Sequence, residues 1–279
     1  MEYQATRRMG GRGITPSQFH HALRGLAVDA AGHVYAVGDR VVRVYDEEGA
    51  VTGQWDTGLP GECVTLDPSG RVWVGEREQV EIFSLEGDRL DTWRDPGQLG
   101  MVTAIGFGGG DVFVADATAR WVRRYDAEGH LLNNIGDTHR KGGFHIPNGV
   151  VDFAVDDAGV VHVANPGMHR VERYAPDGTL LGRFGHFDGQ DPAGFPGCCN
   201  PTNLTVDGGG RVIVSEKAGP RVKVYEPDGQ LLAVVAEDAF DPTAKNMDLA
   251  VDDAGRLYVV DTATLQICVF EPTSKEEEA

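Results

Sequence analysis

Two adjacent cysteines, Cys198 and Cys199, carry the clearest potential for chemistry in this sequence. Neighbouring thiols can close into a strained disulfide, bind a soft metal ion as thiolates, or fill space in a rigid loop. Strained disulfides are the more readily reduced kind and are often functional. Asn200 and Pro201 follow the pair, and an Asn-Pro dipeptide favours a stiff turn. The sequence leaves the structural, metal-binding and redox interpretations open.

The charged pair Glu216-Lys217 is expected close to the two thiols, because both segments belong to one copy of a repeat described below. A lysine ammonium beside thiols favours the thiolate form. Glu216 has a structural alternative. The same position carries Asp in other copies, at Asp116 and Asp261, where the carboxylate is expected to fix its own loop.

Histidines in related loops, His20, His21 and His145, could join the two thiolates as metal ligands. Imidazole and thiolate together suit Zn or Cu, which are therefore the predicted cofactors of a metal site formed with Cys198 and Cys199. These residues form no local ligand motif, so a surface or capping role is the alternative for each histidine. The side chains predicted to bind a ligand at the same place are Asn148, Asn200, Asn203, Glu216, Lys217 and Asn246.

The elements that must position these residues follow from a repeat. In each of six copies, an aromatic residue closes the third apolar run and is followed by a short turn, at intervals of 38 to 51 residues. The interval is close to the roughly 40–50 residues of a four-stranded propeller blade. The six aromatic residues are Tyr45, Phe83, Tyr125, Tyr174, Tyr225 and Phe270.

Each copy has the pattern of a β-meander. Apolar residues alternate with their neighbours at period two, and Asp-x-x-Gly segments such as residues 67–70 predict tight turns between the first two runs. A single blade cannot bury both faces of its sheet, so neighbouring copies must stack into a closed ring. The predicted fold is an all-β, six-bladed β-propeller of four-stranded antiparallel blades.

The two ends of the sequence predict how the ring closes. The sixth copy has three strands, because the pattern stops shortly after Phe270. Residues 3–9 are a spare segment, and we expect them to add the fourth strand of the last blade. The chain is thus predicted to be one domain, residues 1–279, in which residues 274–279 form a disordered acidic tail.

Long irregular segments fall on one face of the predicted ring. In a four-stranded meander, the loop before the innermost strand and the loop after the second strand share a face, and the tight turns lie on the other. Because irregular loops on a rigid scaffold concentrate binding groups, the long-loop face and the channel mouth it surrounds are the predicted site. The long segments are residues 11–25, 59–63, 136–149, 185–203 and 237–248.

The copies resemble NHL repeats over about residues 10–271. The shared pattern runs Gly-(Leu/Val)-Ala-Val-Asp, then Gly-x-(Ile/Val)-Tyr-Val-Ala-Asp, then Arg-Val-x-Val-(Phe/Tyr), as in residues 25–29 and 221–225. NHL repeats form six-bladed propellers, so the resemblance implies the same fold. The family includes scaffolds, RNA-binding proteins, metal-dependent lyases and lactonase-like enzymes, so the resemblance does not assign an activity.

Two enzyme types of this fold match the sequence only in part. The lyase branch places histidines from three blades around Zn, whereas here only the first and fourth copies offer one in a suitable loop, with His186 a distant third. A lactonase-type site uses a channel Glu with Asn and Asp around Ca²⁺. The residues that partly fit those roles are Glu62, Asp152, Asn203 and Asp248.

The composition narrows the class of partner. The chain has 25 Lys and Arg against 43 Asp and Glu, a net charge of −18. Such a surface repels phosphate backbones, so we expect no nucleic-acid partner. No run is long or apolar enough for a membrane span, and no signal peptide is visible. We expect a soluble, monomeric protein, and the sequence leaves a cytoplasmic or an exported location open.

Three functions remain open. The favoured one is a binding propeller that uses the long-loop face and the channel mouth around Cys198 and Cys199 to hold a metal ion or a small ligand. The second is a metal- or thiol-dependent lyase, hydrolase or oxidoreductase at the same site. The third is a protein-interaction scaffold in which the cysteine pair is structural.

Overall fold

The computed structural model describes residues 1–136, 142–217 and 219–273. Within these residues, 24 β-strands form six four-stranded antiparallel sheets. The first strand, β1 (Glu2–Gly10), belongs to the last sheet. The innermost strands of successive sheets contact one another around a closed ring. The predicted six-bladed propeller is confirmed.

The first three blades follow one another along the chain. Blade 1 consists of β2 (Gly25–Val28), β3 (Val34–Gly38), β4 (Val41–Tyr45) and β5 (Val51–Asp56). Blade 2 consists of β6 (Cys63–Leu66), β7 (Val72–Gly75), β8 (Gln79–Phe83) and β9 (Arg89–Arg94). Blade 3 consists of β10 (Val102–Gly108), β11 (Asp111–Asp116), β12 (Trp121–Tyr125) and β13 (Leu131–Ile135).

The remaining blades continue the series. Blade 4 consists of β14 (Phe153–Val155), β15 (Val161–Asn165), β16 (Arg170–Tyr174) and β17 (Leu180–Phe184). Blade 5 consists of β18 (Asn203–Val206), β19 (Val212–Glu216), β20 (Arg221–Tyr225) and β21 (Leu231–Val235). Blade 6 consists of β22 (Leu249–Val251), β23 (Leu257–Asp261), β24 (Gln266–Thr273) and β1. Across the three described stretches, a single 3-10 turn, Pro166–Met168, is the only helical element.

The ring closes through the N-terminal strand. β1 pairs antiparallel with β24, so that Glu2 lies opposite Thr273 and Gly10 lies opposite Gln266. The predicted closing segment, residues 3–9, therefore lies within a strand that is one residue longer at each end. The predicted acidic tail, residues 274–279, lies outside the described residues.

Aromatic residues attach the long loops to the blades. Each of the six repeat aromatics is buried, and the Phe residues of the long loops pack against them within the same blade. The ring centroids of Phe144 and Tyr174 are 6.1 Å apart. Those of Phe195 and Tyr225 are 5.8 Å apart. Loops that vary in length are thus fixed at one point to a regular scaffold.

The tight turns form the opposite face of the ring. In the turn of residues 67–70, Asp67 Oδ1 accepts hydrogen bonds from the backbone N–H groups of Ser69 and Arg71, both at 2.9 Å. Gly70 has a φ of +82°, a conformation that glycine adopts without strain. Burial opposes ionisation of Asp67, but hydrogen bonds from the Ser69 hydroxyl, from the backbone and side chain of Arg71 and from Trp73 outweigh it and lower the pKa of Asp67 to about 2. The carboxylates of these turns are therefore fully engaged in holding the turns themselves.

Candidate functional site

A central channel runs between the six innermost strands. Its cavity has a volume of about 430 Å³ and is lined by residues of β2, β6, β10, β14, β18 and β22. Asp152 and Asp248 lie at its long-loop end, because each directly precedes an innermost strand. Asp67 and Pro68 lie at the tight-turn end. The channel is large enough for a small molecule.

A second, smaller cavity of about 30 Å³ forms the channel mouth on the long-loop face. Thr103 and Asp248 line both cavities, so the two adjoin. A volume of this size suits one or two water molecules, or an ion. Every blade contributes to its lining, which consists of Arg24, Glu62, Thr103, Val150, Asn203, Asn246 and Asp248.

Two aspartates at the mouth connect neighbouring blades. Asp152 precedes the inner strand of blade 4, and its Oδ2 accepts a hydrogen bond from the Leu204 N–H of blade 5 at 2.8 Å. Asp248 precedes the inner strand of blade 6, and its Oδ2 accepts a hydrogen bond from the Leu26 N–H of blade 1 at 2.8 Å. These bonds hold each carboxylate in a fixed orientation at the edge of the channel.

Burial makes ionisation of these aspartates unfavourable. It raises the pKa of Asp248 to about 7. Burial, followed by the negative charge of Asp248, raises the pKa of Asp152 well above its ordinary value. The Asn203 side chain hydrogen-bonds to Asp152, whereas Asn203 Oδ1 is buried and has no hydrogen-bond partner among the described residues. Two carboxylates and a free amide oxygen are thus brought together in a confined space.

Two predicted ligand-binding amides meet beside the mouth. Asn148 Nδ2 donates to Asn246 Oδ1 at 3.1 Å, and Asn246 Nδ2 donates to the backbone carbonyl oxygen of Asn148 at 3.3 Å. The first residue belongs to the loop before blade 4 and the second to the loop before blade 6. Their reciprocal contact therefore joins two loops across the position of blade 5.

The cysteine pair lies in the loop before blade 5. Cys198 is exposed, Cys199 is buried, and their Sγ atoms are 3.0 Å apart. Asn200 is fully buried, and its Nδ2 donates to the carbonyl oxygens of Pro196 and Lys217 at 2.7 and 2.8 Å. Its Oδ1 accepts the Lys217 N–H at 2.9 Å. Asn200 thus fixes the cysteine loop to the loop that follows β19, and ligand binding by Asn200 stays a prediction.

The two thiols differ in acidity. A hydrogen bond from Cys199, and then the positive charge of Lys217, lower the pKa of Cys198. Burial raises the pKa of Cys199, to which Lys217 also hydrogen-bonds. Lys245, from the loop before blade 6, adds a second positive charge near Cys198. The expected effect of Lys217 on the pair is confirmed, and it concentrates thiolate character on the exposed sulfur.

Glu216 belongs to the interior of blade 5. Its side chain is fully buried and pairs with Arg221 Nε at 2.6 Å and with Lys223 Nζ at 2.9 Å. Its counterparts Asp116 and Asp261 accept backbone hydrogen bonds from their own loops, as expected for those two residues. The carboxylate of Glu216 is thus already occupied by two cations of its own blade.

Of the histidines predicted as metal ligands, His20 and His21 lie together in the loop before blade 1, and His145 lies in the loop before blade 4. The His20 Nδ1 and His21 Nε2 atoms are 2.6 Å apart, and the backbone N–H groups of both residues donate to Asp39. His145 is exposed, and its N–H donates to Asn165 Oδ1 at 3.3 Å. In residues 1–136, 142–217 and 219–273, no three His, Cys, Asp or Glu side chains form a group that could hold a metal ion. The assignment of Cu or Zn to Cys198, Cys199, His145, His20 and His21 stays a prediction.

Two residues of the mouth, Arg24 and Thr103, were not singled out from the sequence. Arg24 Nε lies 3.8 Å from Glu62 Oε2, and the Thr103 hydroxyl donates to the Val151 carbonyl oxygen at 2.7 Å. Both lie where an innermost strand begins. Arg24 lies one residue before Gly25, which is the blade 1 counterpart of Asp152 and Asp248, so aligning the copies at that position would not have identified it.

The chain resembles known propellers in sequence and in structure. No protein-family model matches it. It is 25% identical over 183 residues to human NHL repeat-containing protein 3, an alignment that covers 60% of this chain and 52% of the human protein. The chain therefore spans about half the length of that curated relative. This similarity and the six-bladed fold support the resemblance to NHL repeats.

Several solved structures share the fold. A Bacteroides thetaiotaomicron protein of unknown function superposes with a TM-score of 0.72 at 15% identity, covering 96% of this chain and 75% of that one. Virginiamycin B lyase from Staphylococcus aureus superposes with a TM-score of 0.67 at 12% identity, and the alignment covers 98% of this chain and 100% of the lyase. A gluconolactonase from Xanthomonas campestris superposes with a TM-score of 0.64 at 22% identity, and the alignment covers 90% of this chain and 86% of the gluconolactonase. At these identities the likeness concerns the fold alone.

The described part of the chain contains no helix with the length and apolar character needed to cross a membrane.

Proposed function

We propose that this NHL-like propeller is a binding protein whose channel mouth holds a divalent cation with oxygen ligands, and through it a small polar ligand. The observation that carries this proposal is the pair of Asp152 and Asp248 at the mouth, next to the unpartnered Oδ1 of Asn203. Hard cations such as Ca²⁺ take carboxylate, amide and water oxygens. The donor set therefore fits this class of ion.

The energetics of the mouth support a cation. Two carboxylates that are desolvated and close to each other cannot both ionise without a large electrostatic cost. At neutral pH they must either retain protons or acquire a positive charge. A divalent cation supplies that charge and also satisfies Asn203 Oδ1, which would otherwise lose the free energy of a hydrogen bond.

The residues around the aspartates would complete the site. Asp152, Asn203 and Asp248 would hold the ion. Asn203, Asp248 and Glu62 line the small cavity, and Asp152 lines the adjoining channel. Water molecules or ligand oxygens would fill the remaining positions, since Ca²⁺ takes about six to eight ligands. The adjoining cavity of about 430 Å³ gives a small ligand room below the mouth.

Hydrolysis at the same mouth is a second candidate, because Glu62 is a carboxyl that burial shifts to a raised pKa, with Arg24 opposing the shift. A carboxylate placed beside a bound substrate can act as a general base. The gluconolactonase and the virginiamycin B lyase with this fold are enzymes by name. Cation-dependent hydrolysis of a simple lactone, lost in Glu62→Gln, would support this candidate over binding alone.

The test of the binding proposal is calorimetric titration of chelator-treated protein with Ca²⁺. Wild type should bind one ion, and the double variant Asp152→Asn with Asp248→Asn should not. The matched control is Asp157→Asn with Asp253→Asn, which makes the same change at exposed positions of the tight turns in the same two blades. Absence of binding by wild type, or equal binding by the double variant, would show that the two aspartates serve only to join blades.

The same protein tests the prediction of Cu or Zn at the cysteine pair. Elemental analysis of protein purified without chelator, followed by Zn²⁺ titration, should show binding that Cys198→Ser with Cys199→Ser removes. Loss of thiolate ligands should also weaken this binding as the pH falls. Zn²⁺ binding that survives in the double serine variant would place the ion elsewhere.

A further inference from the structure

The two sulfur atoms of the cysteine loop lie close to bonding distance. Their separation is 3.0 Å, whereas a disulfide bond measures about 2.05 Å. To bond, the sulfur atoms must therefore come about one ångström closer, and the backbone of the two adjacent residues must adjust with them. The other two cysteines, Cys63 and Cys268, are buried in the core clusters of other blades. Cys198 and Cys199 are thus the thiols of this chain arranged for bond formation with each other.

Unequal exposure gives the two thiols different roles. Cys198 is exposed on the long-loop face, so an external reagent can reach its sulfur. Cys199 is only 2% exposed and lies against Cys198. The first is therefore positioned to react with a partner in solution, and the second to react only with the first.

The loop around the pair is fixed on both sides. Phe195 is fully buried against Tyr225 before the cysteines, and fully buried Asn200 makes three hydrogen bonds after them. This arrangement holds the sulfurs together without requiring the loop to fold around a ligand first. An intramolecular reaction between groups held in this way is favoured over reaction with a second external molecule.

Positive charge surrounds the pair in an otherwise acidic chain. Lys217 hydrogen-bonds to Cys199, and both Lys217 and Lys245 act on Cys198. The net charge of the chain is −18. Such a local contrast attracts a small reagent that carries carboxylates, while the rest of the surface repels it.

We propose that Cys198 and Cys199 form a thiol–disulfide exchange site for small anionic disulfides of the glutathione type. The Cys198 thiolate attacks one sulfur of the disulfide and breaks its S–S bond, releasing one half as a thiolate that takes up the proton Cys198 lost. Cys199 then gives up its proton and attacks Cys198 Sγ. The bond between the two cysteines forms, and the second half leaves as a thiol with that proton. The chain is oxidised by two electrons, and the disulfide becomes two thiols.

The experiment uses the full chain in buffers of graded oxidised and reduced glutathione. Acid quenching, alkylation and intact-mass measurement should show a reversible species that lacks two hydrogen atoms, with peptide mapping placing the bond between Cys198 and Cys199. Cys199→Ser should instead accumulate a mixed disulfide with glutathione at Cys198. Cys198→Ser should form neither product, and Cys63 and Cys268 should stay reduced as internal controls.

Folding of each serine variant is checked by its thermal transition, because a misfolded variant would expose the buried thiols. The proposal is overturned if wild type gives no bonded pair at any glutathione ratio. It is also overturned if folded Cys199→Ser forms no mixed disulfide, or if folded Cys198→Ser is oxidised as fast as wild type. The test of thiol–disulfide exchange is independent of Ca²⁺ binding at the channel mouth, because Cys→Ser substitution should leave Ca²⁺ binding unchanged.

Discussion

Asp67 on the tight-turn face and Asp248 on the long-loop face both accept a backbone N–H close to an innermost strand. Their electrostatic situations are opposite. Asp67 receives additional hydrogen bonds from Ser69 and Trp73 and faces the guanidinium of Arg71, and its pKa falls to about 2. Burial raises the pKa of Asp248 to about 7.

The difference separates stabilising carboxylates from functional ones. A carboxylate that is fully satisfied by its own turn contributes to folding and has nothing left for a ligand. One that is desolvated beside a second carboxylate reduces stability, and natural proteins retain such groups mainly at functional sites. The two faces of one repeat thus use the same residue type for opposite purposes.

The largest effect on the free energy of unfolding is expected from substitutions at these two aspartates, and the two substitutions should act in opposite directions. Asp67→Ala removes an acceptor that serves several donors, so we expect the free energy of unfolding to fall by roughly 2–4 kcal/mol. Asp248→Asn keeps an oxygen that can accept the Leu26 N–H while removing a buried charge. We expect it to raise stability by about 1–2 kcal/mol at pH 8 in chelator. Urea denaturation measures both, and destabilisation by both would abolish the distinction.

A smaller effect is expected from pH. Because the folded-state pKa of Asp248 is raised to about 7, its contribution to stability is fully present below its unfolded pKa of about 3.9 and is lost as the pH rises through about 7. Asp67 behaves oppositely, since its contribution is lost as the pH falls from about 4 towards 2.

Between pH 5 and 8 in chelator, wild type should therefore lose on the order of 2 kcal/mol relative to Asp248→Asn. Asp157→Asn, at an exposed turn position, is the matched control and should follow wild type. A difference between wild type and Asp248→Asn that does not change with pH would show that Asp248 has an ordinary pKa.

The smallest effect should come from the amide bridge beside the mouth. Asn148→Ala removes the hydrogen bond to Asn246 and should lower stability by about 0.5–1 kcal/mol. The control is Asn133→Ala in the outer strand β13. It removes a single hydrogen bond, from Asn133 to the Pro176 carbonyl oxygen, and should have a similar effect on stability. Only the first substitution should weaken Ca²⁺ binding in calorimetry, and equal affinities would separate the bridge from the site.

The regular part of this molecule was predictable because its residues repeat. An aromatic at the end of each third strand, Asp-x-x-Gly turns in most copies and a missing strand in the last copy together predict blades, turns and closure. The long loops have no period, and their conformations depend on single contacts. Asn200 illustrates this, since its residue type did not predict the hydrogen bonds by which it connects two loops.

The candidate site was predictable only where its residues belong to one copy of the repeat. The proximity of Lys217 to the cysteines could be predicted, because the cysteine loop and the Glu216-Lys217 segment belong to the same copy of the repeat. Convergence of His20, His21 and His145 on the cysteine pair would have required loops of three blades to meet, which no local pattern can establish. The mouth residues Arg24 and Thr103 lacked a conspicuous chemical type, and only their position in the ring identifies them.

The pairing of β1 with β24 also bears on how the protein is made. Among the strands of the ring, β1 is translated first and its partner strand, residues 266–273, is translated last. At bacterial-to-eukaryotic elongation rates this delay is on the order of tens of seconds. During it, five blades can assemble while the sixth has no complete sheet. Nascent β1 therefore has no pairing partner and is available for chaperone contact or for mispairing with another chain until synthesis of the ring is complete.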